Sequence, residues 1–171
     1  LAITLRKPKK SDAIGIAAIS IEVWLGTYLK RGVNAFFANY ALEVLTPSKI
    51  EKLIFDPDQF ILVSDNQKGI DGFIRVSSAS KGPVDGCSEL EIATFYVQPR
   101  HQGKGVGRRL MEAAFQHRRN NAAKSVWLAT NAENGPAIAF YLARGFEQVG
   151  ETSFRIDGES KLNNVYSYSL S

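Results

Sequence analysis

The 171 residues are the length of one ordinary domain, so a single domain over 1–171 is expected, with room for one substantial core. Hydrophobic residues at 44% and charged residues at 22% exclude a largely disordered or fibrous chain. The net charge of +4 is modest and much of it lies in and behind one glycine-rich stretch, so an anionic small ligand accounts for it and no nucleic-acid partner is expected.

The chain opens with Ala2 to Arg6, an alternating run that reads as an edge strand before Lys7-Pro8. Ser11-Asp12 stands where a cap would. Ile14, Ala17, Ala18, Ile21, Trp24 and Leu25 then mark one face of a helix running towards Leu29. Gly32 breaks it. Phe36, Phe37, Tyr40, Leu42 and Leu45 are bulky but only loosely periodic, and this segment is counted outside the helices as core packing or pocket lining. Pro47-Ser48 restarts a short helix through Ile54. Gln59 to Ser64 and Gly72 to Ser77 are β-rich runs joined by the turn residues Asp65 to Gly69, a hairpin.

After a loop at Lys81 to Gly86, Leu90 to Val97 is apolar, aromatic and β-branched enough for a buried strand, and Pro99 ends it. A helix follows from Val106, with Leu110, Met111, Ala114 and Phe115 at spacings of three and four. Ser125 to Thr130 gives a strand, and Asn134 to Arg144 a helix stopped by Gly145. Phe146 to Ile156 and Val165 to Leu170 supply two last strands around the turn Asp157-Gly158-Glu159-Ser160. Four helices and about seven strands predict an α/β fold with a mixed central sheet. The single cysteine, Cys87, excludes an internal disulfide and a Cys-rich metal site. No apolar run approaches the roughly 20 residues of a membrane span. With no signal-peptide pattern either, a cytoplasmic protein without a membrane partner is expected.

The chemistry gathers between Leu90 and Arg119. Gly103, Gly105 and Gly107 alternate with Lys104 and Val106 where a helix begins, and Arg100, Lys104, Arg108 and Arg109 add positive charge. A glycine turn opening a helix collects unpaired N–H groups at the positive end of the helix dipole, which suits a phosphate or diphosphate. The stretch lacks the Gly-Lys-Ser/Thr of a P-loop. Its G-x-G-x-G spacing also departs from the dinucleotide fingerprint, and no acidic residue ends the next strand. A tight turn without a ligand is the alternative, and the four neighbouring cations argue against it. His101 and His117 have no carboxylate partner at ligand spacing, so no metal and no triad is expected, and His101 is expected to pack at the loop. Cys87 has no activating partner and is expected to be a bystander.

ELEIATFYVQPRHQGKGVGRRLM followed by NAENGPAIAFYLARGFEQVG resembles the GNAT superfamily of acyl-CoA-dependent N-acyltransferases. The first block is similar to that family's strand, diphosphate loop and helix. The second is similar to its Asn-x-x-Ala-x-x-Phe-Tyr-x-x-x-Gly-Phe segment, at Asn134, Ala137, Phe140, Tyr141, Gly145 and Phe146. The resemblance implies the GNAT fold, acetyl-CoA as cofactor, and direct attack of a primary amine on the thioester. Phe95, Tyr96 and Val97 would pair with the pantetheine arm. Gln102, Gly103, Lys104, Gly105, Val106, Gly107 and Arg108 would hold the diphosphate, and Asn134 would contact the pantetheine or diphosphate. The Val97 N–H would face the thioester carbonyl, Tyr141 would serve the departing sulfur, and Glu91, with Glu89 as the second choice, would take the amine proton. The lysine the family often carries two residues after the tyrosine is Ala143 here, with Arg144 the nearest cation.

Within the superfamily the chain resembles the PaiA-type bacterial polyamine acetyltransferases, through Ser88 to Ile92, Val126 to Leu128, Ala137 to Tyr141 and Gly150 to Phe154. Trp24 and Tyr28, with Glu89, are the candidate acceptor-binding residues, since aromatic faces hold amines by cation–π contact. A small-molecule amine or polyamine is therefore the expected acceptor. A protein N-terminus or lysine, and a non-catalytic coenzyme A-binding regulatory module, stay open. The family commonly dimerises, so a homodimer is also an expectation.

Overall fold

The computed structural model describes residues 3–171. Strands β1 (Thr4–Arg6), β2 (Gln59–Asn66), β3 (Gly69–Ser77), β4 (Glu91–Val97), β5 (Ser125–Asn131), β6 (Glu147–Ile156) and β7 (Glu159–Ser169) form one sheet in the order β1-β2-β3-β4-β5-β7-β6. Five α-helices accompany it: α1 (Ala13–Tyr28), α2 (Ala35–Val44), α3 (Pro47–Phe55), α4 (Val106–Asn120) and α5 (Gly135–Ala143). The sheet is mixed. β4 and β5 run parallel, as a strand–helix–strand crossover requires, while β1–β2, β5–β7 and β6–β7 are antiparallel.

The described chain divides into two compact units. The first holds the residues up to Val76 together with Thr94–Phe115. Its core packs Ala13, Ile16, Ala17 and Ile19 of α1 and Ile50 of α3 against Ile61, Val63 and Phe73 of β2 and β3. Each such aliphatic or aromatic side chain contributes about 1.5–3 kcal/mol when withdrawn from water. Arg6 anchors β1 by reaching Asp65 of β2 and Asp12 in the short helical turn before α1, both at 2.7 Å. The Asp12 carboxylate also accepts from Lys9 N, so it does not cap α1 as the sequence suggested.

The second unit holds Ser77–Ala93 and Gln116–Ser171. Val126, Trp127 and Leu128 of β5, Tyr141 of α5, Phe146, and Val165 and Tyr166 of β7 are among its buried apolar residues. After α5, Gly145 N donates to Leu142 O and Phe146 N to Tyr141 O, the paired bonds of a Schellman stop. β6 and β7 turn at Asp157 and Gly158, both at positive φ (52° and 73°), which the right-handed twist of a hairpin favours.

Three sequence expectations need correction. Residues 35–44 form a fifth helix, because Asn34 accepts from Phe37 N at 3.0 Å and caps it. The first hairpin turns tightly at Gln67-Lys68, with Asn66 Oδ1 accepting Lys68 N at 2.7 Å. β7 begins at Glu159, six residues before the expected start. The expected first strand also included Ala2, which lies outside the described residues.

Candidate active site

In the first unit, β4 ends at Val97 and α4 begins at Val106. The intervening turn leaves Gln102, Gly103, Lys104 and Gly105 exposed. Gly103 and Gly105 sit at φ 72° and 85°, a backbone that side-chain-bearing residues rarely adopt. The first helical bond of α4 is Arg109 N to Gly105 O, at 3.1 Å. The N–H groups of Val106, Gly107 and Arg108 therefore precede the helical ladder and stand at the positive end of the dipole. Gln102 Nε2 donates to Val97 O at 3.0 Å and ties the turn back to the strand end. Of the four expected cations, Arg109 reaches Ile3 O at 3.3 Å and Arg108 lies 3.8 Å from Glu112. Backbone amides ahead of the helical ladder and adjoining cations are the donor set a diphosphate needs.

Phe73 meets Tyr96 edge to face at 5.8 Å. Removal from water pushes the Tyr96 phenol up to about 12; Tyr28 and Tyr40 add to this and Arg75 acts against it. Tyr96 is accordingly a neutral phenol at physiological pH, and no base. The same unit gathers Trp24 and Tyr28 of α1, 5.1 Å apart, with Trp24 stacked on Tyr40 of α2 at 4.8 Å and close to Phe37 at 5.5 Å. Two of the three acceptor candidates, Trp24 and Tyr28, thus belong to one aromatic cluster, and Tyr40 keeps 39% of its surface exposed.

In the second unit, Glu91 opens β4 half-buried, and Ser80 Oγ donates to its Oε2 at 2.6 Å. Glu89 is exposed and precedes β4, and its carbonyl accepts Ser80 N at 3.2 Å. Asn134 caps α5, its Oδ1 accepting Ala137 N at 3.3 Å. Tyr141 is 8% exposed, and its ring lies 5.5 Å from Phe146 and 6.4 Å from Tyr166. Asn134 and Tyr141 therefore both have structural work in this unit, beside any role at a ligand.

Two residues escaped the sequence reading. Ser80 carries no motif, and only the fold brings it to Glu91. Asp71 of β3, 3% exposed, lies 4.0 Å from His101 Nδ1, so His101 has a carboxylate neighbour that sequence spacing hid. Cys87 is a free, half-buried thiol packed beside Gly82, where an added Cβ would collide with it. Among the described residues no cluster of three or more His, Cys, Asp or Glu could hold a metal ion, and no helix is long and apolar enough to cross a membrane.

The chain is similar to known acetyltransferases. A mycothiol acetyltransferase of Thermobifida fusca is 28% identical over 148 residues, covering 82% of this chain and 46% of the relative. The N-alpha-acetyltransferase RimI of Mycobacterium tuberculosis is 32% identical over 89 residues, 51% of this chain and 52% of the relative. The chain spans less than half the length of the mycothiol acetyltransferases it matches. Among solved structures, the PaiA N-acetyltransferase of Thermoplasma acidophilum, in complex with coenzyme A, superposes with a TM-score of 0.76 at 19% identity, covering 98% of this chain and all of that one (100%). The model of the acetyltransferase (GNAT) family matches residues 27–146, more than two thirds of the chain, and to that family the chain belongs.

Proposed function

We propose that this chain, acting as one domain over 1–171, is an acetyl-CoA-dependent N-acetyltransferase that transfers acetyl by direct attack to a primary amine of a small molecule or polyamine. The observation that carries the reading is the exposed glycine turn that opens α4 directly after β4, within the family match. Its backbone suits a diphosphate: two glycines at positive φ, and three amides ahead of the first bond of α4. Gln102 to Arg108 would hold that group, and the main chain of Phe95, Tyr96 and Val97 would take the pantetheine arm as an added strand, with Asn134 beside it through its amide nitrogen.

Bound acetyl-CoA would supply an activated thioester. The Val97 N–H would stabilise negative charge on the acyl oxygen, an effect of about 2.7–4 kcal/mol for one well-placed donor. An alkylammonium with an ordinary value of about 10 must lose a proton before it can attack. Glu91, held in place by Ser80, would take that proton, and Tyr141 would supply one to the thiol side of the cofactor. The aromatic cluster around Trp24 and Tyr28 receives the amine by cation–π contact.

A thiol-release assay with acetyl-CoA across spermidine, amino acids, aminoglycosides and peptides tests the reading. Turnover with a small amine is expected. Turnover with peptides alone would replace the acceptor by a protein, and coenzyme binding without turnover on any amine would leave a regulatory module.

A further inference from the structure

Asp71 is the buried carboxylate that the proposed chemistry does not use. It sits on β3 at 3% exposure. One oxygen, Oδ2, accepts from Asn66 Nδ2 at 2.9 Å. The other, Oδ1, has no hydrogen-bond partner, a costly state for a buried carboxylate. His101 Nδ1 stands 4.0 Å from Oδ2, within ion-pair range but beyond a hydrogen bond.

His101 is placed to transmit whatever Asp71 does. Its main-chain N–H donates to Gln98 O at 2.8 Å, and Gln98 N in turn donates to Asp71 O at 2.8 Å. The next residue is Gln102, which is fastened to Val97 O and begins the exposed glycine turn. One β3 residue therefore holds the root of the turn by its carbonyl and faces the ring beside the turn with its carboxylate. Gly72, next along β3, permits this approach, since a Cβ there would stand 3.0 Å from Tyr96 O.

We propose that Asp71 is a positioning residue for the glycine turn: its buried carboxylate holds His101, and through it the amides of the turn, in the conformation that takes the coenzyme's diphosphate. The inference rests on the coenzyme reading above. It makes a prediction of unusual sign. A buried negative charge behind an anion site opposes the anion through space, so bare electrostatics expects Asp71→Asn to bind coenzyme A more tightly. The clasp expects weaker binding, because an amide holds the ring less firmly.

The test is titration calorimetry of coenzyme A into the intact chain as wild type, Asp71→Asn, His101→Phe and the double variant, with thermal unfolding of each alongside. Each single variant should weaken binding roughly tenfold, and the double variant no more than the weaker single, since both remove one interaction. The KM for acetyl-CoA should rise by a similar factor while the rate at saturation holds. Additive losses, unchanged affinity, or tighter binding by Asp71→Asn would overturn the proposal. Should Asp71→Asn fail to fold, His101→Phe removes the same interaction from the loop side, and an unchanged KM for acetyl-CoA in that variant would overturn the proposal equally. A wild-type chain that does not bind coenzyme A would overturn the coenzyme reading and the clasp together; unaltered affinity in the variants of a binding wild type would overturn the clasp alone.

Discussion

Ser80 Oγ donates to Glu91 Oε2 across 2.6 Å, while Ser80 N donates to the Glu89 carbonyl at 3.2 Å. The loop between β3 and β4 is thereby fastened twice to the start of β4, and the Glu91 carboxylate is oriented from one side. Hydrogen bonds to charged groups contribute about 1.5–3 kcal/mol. Ser80→Ala should therefore lower kcat/KM for the amine by roughly tenfold, with Ser80→Thr restoring most of it. Glu91→Gln should cost about 10²-fold or more, the usual scale for a general base. Steady-state kinetics at saturating acetyl-CoA checks both, and full activity in Glu91→Gln would move the base elsewhere.

Tyr141→Phe separates packing from chemistry. The ring contacts to Phe140, Phe146 and Tyr166 survive the loss of one hydroxyl. The rate should fall by about 10² while coenzyme affinity stays near that of the wild type. Equal turnover by the two proteins would leave Tyr141 as core alone.

Gly72 lets β3 lie close to the end of β4. A Cβ added there would meet Tyr96 O at 3.0 Å, Val97 Cγ2 at 3.3 Å and Leu110 Cδ1 at 3.4 Å. Gly72→Ala is expected to destabilise the protein by about 1–3 kcal/mol, the range for overpacking. It should also raise the KM for acetyl-CoA, because the displaced atoms belong to the strand end proposed to take the pantetheine. Thermal unfolding and kinetics on one preparation read both effects.

The Arg6 guanidinium beside Asp12 holds that carboxyl below the usual carboxylate range. A depressed carboxyl stabilises the fold fully above its unfolded value of about 4 and loses that contribution as the pH falls through its lower, folded value. Asp12→Asn should thus cost about 1 kcal/mol at pH 7, roughly 2–4 °C in melting temperature for a chain of this size. The deficit should shrink below pH 4, since the wild type loses the same interaction there. A deficit independent of pH would contradict a contribution from the ionised carboxylate.

The sheet, the crossover helix and the glycine turn were legible because each rests on local chemistry: β-branched runs at β4 and β5, an amphipathic repeat at Leu110, Met111, Ala114 and Phe115, and glycines where φ turns positive. Helix α2 was not. Only Ala41 is buried along it, so no apolar stripe announced a helix, and the deciding signal was the Asn34 cap. β7 was read short because Asn163 and Asn164 lack strand-forming side chains, although the Asp157-Gly158 turn fixes its register with β6. Within the candidate site, sequence motifs reached residues on β4, α4 and α5. Ser80 and Asp71 stayed invisible because their partners, Glu91 and His101, lie 11 and 30 positions away, and only chain folding pairs them.

Titration calorimetry of coenzyme A into the intact chain tests the central claim most directly. One coenzyme is expected to bind per chain, with affinity sharply reduced in Gly105→Val, where a β-branched side chain is placed at φ 85° in the middle of the turn. Absence of binding by the wild type, or equal affinity in the two proteins, would contradict it.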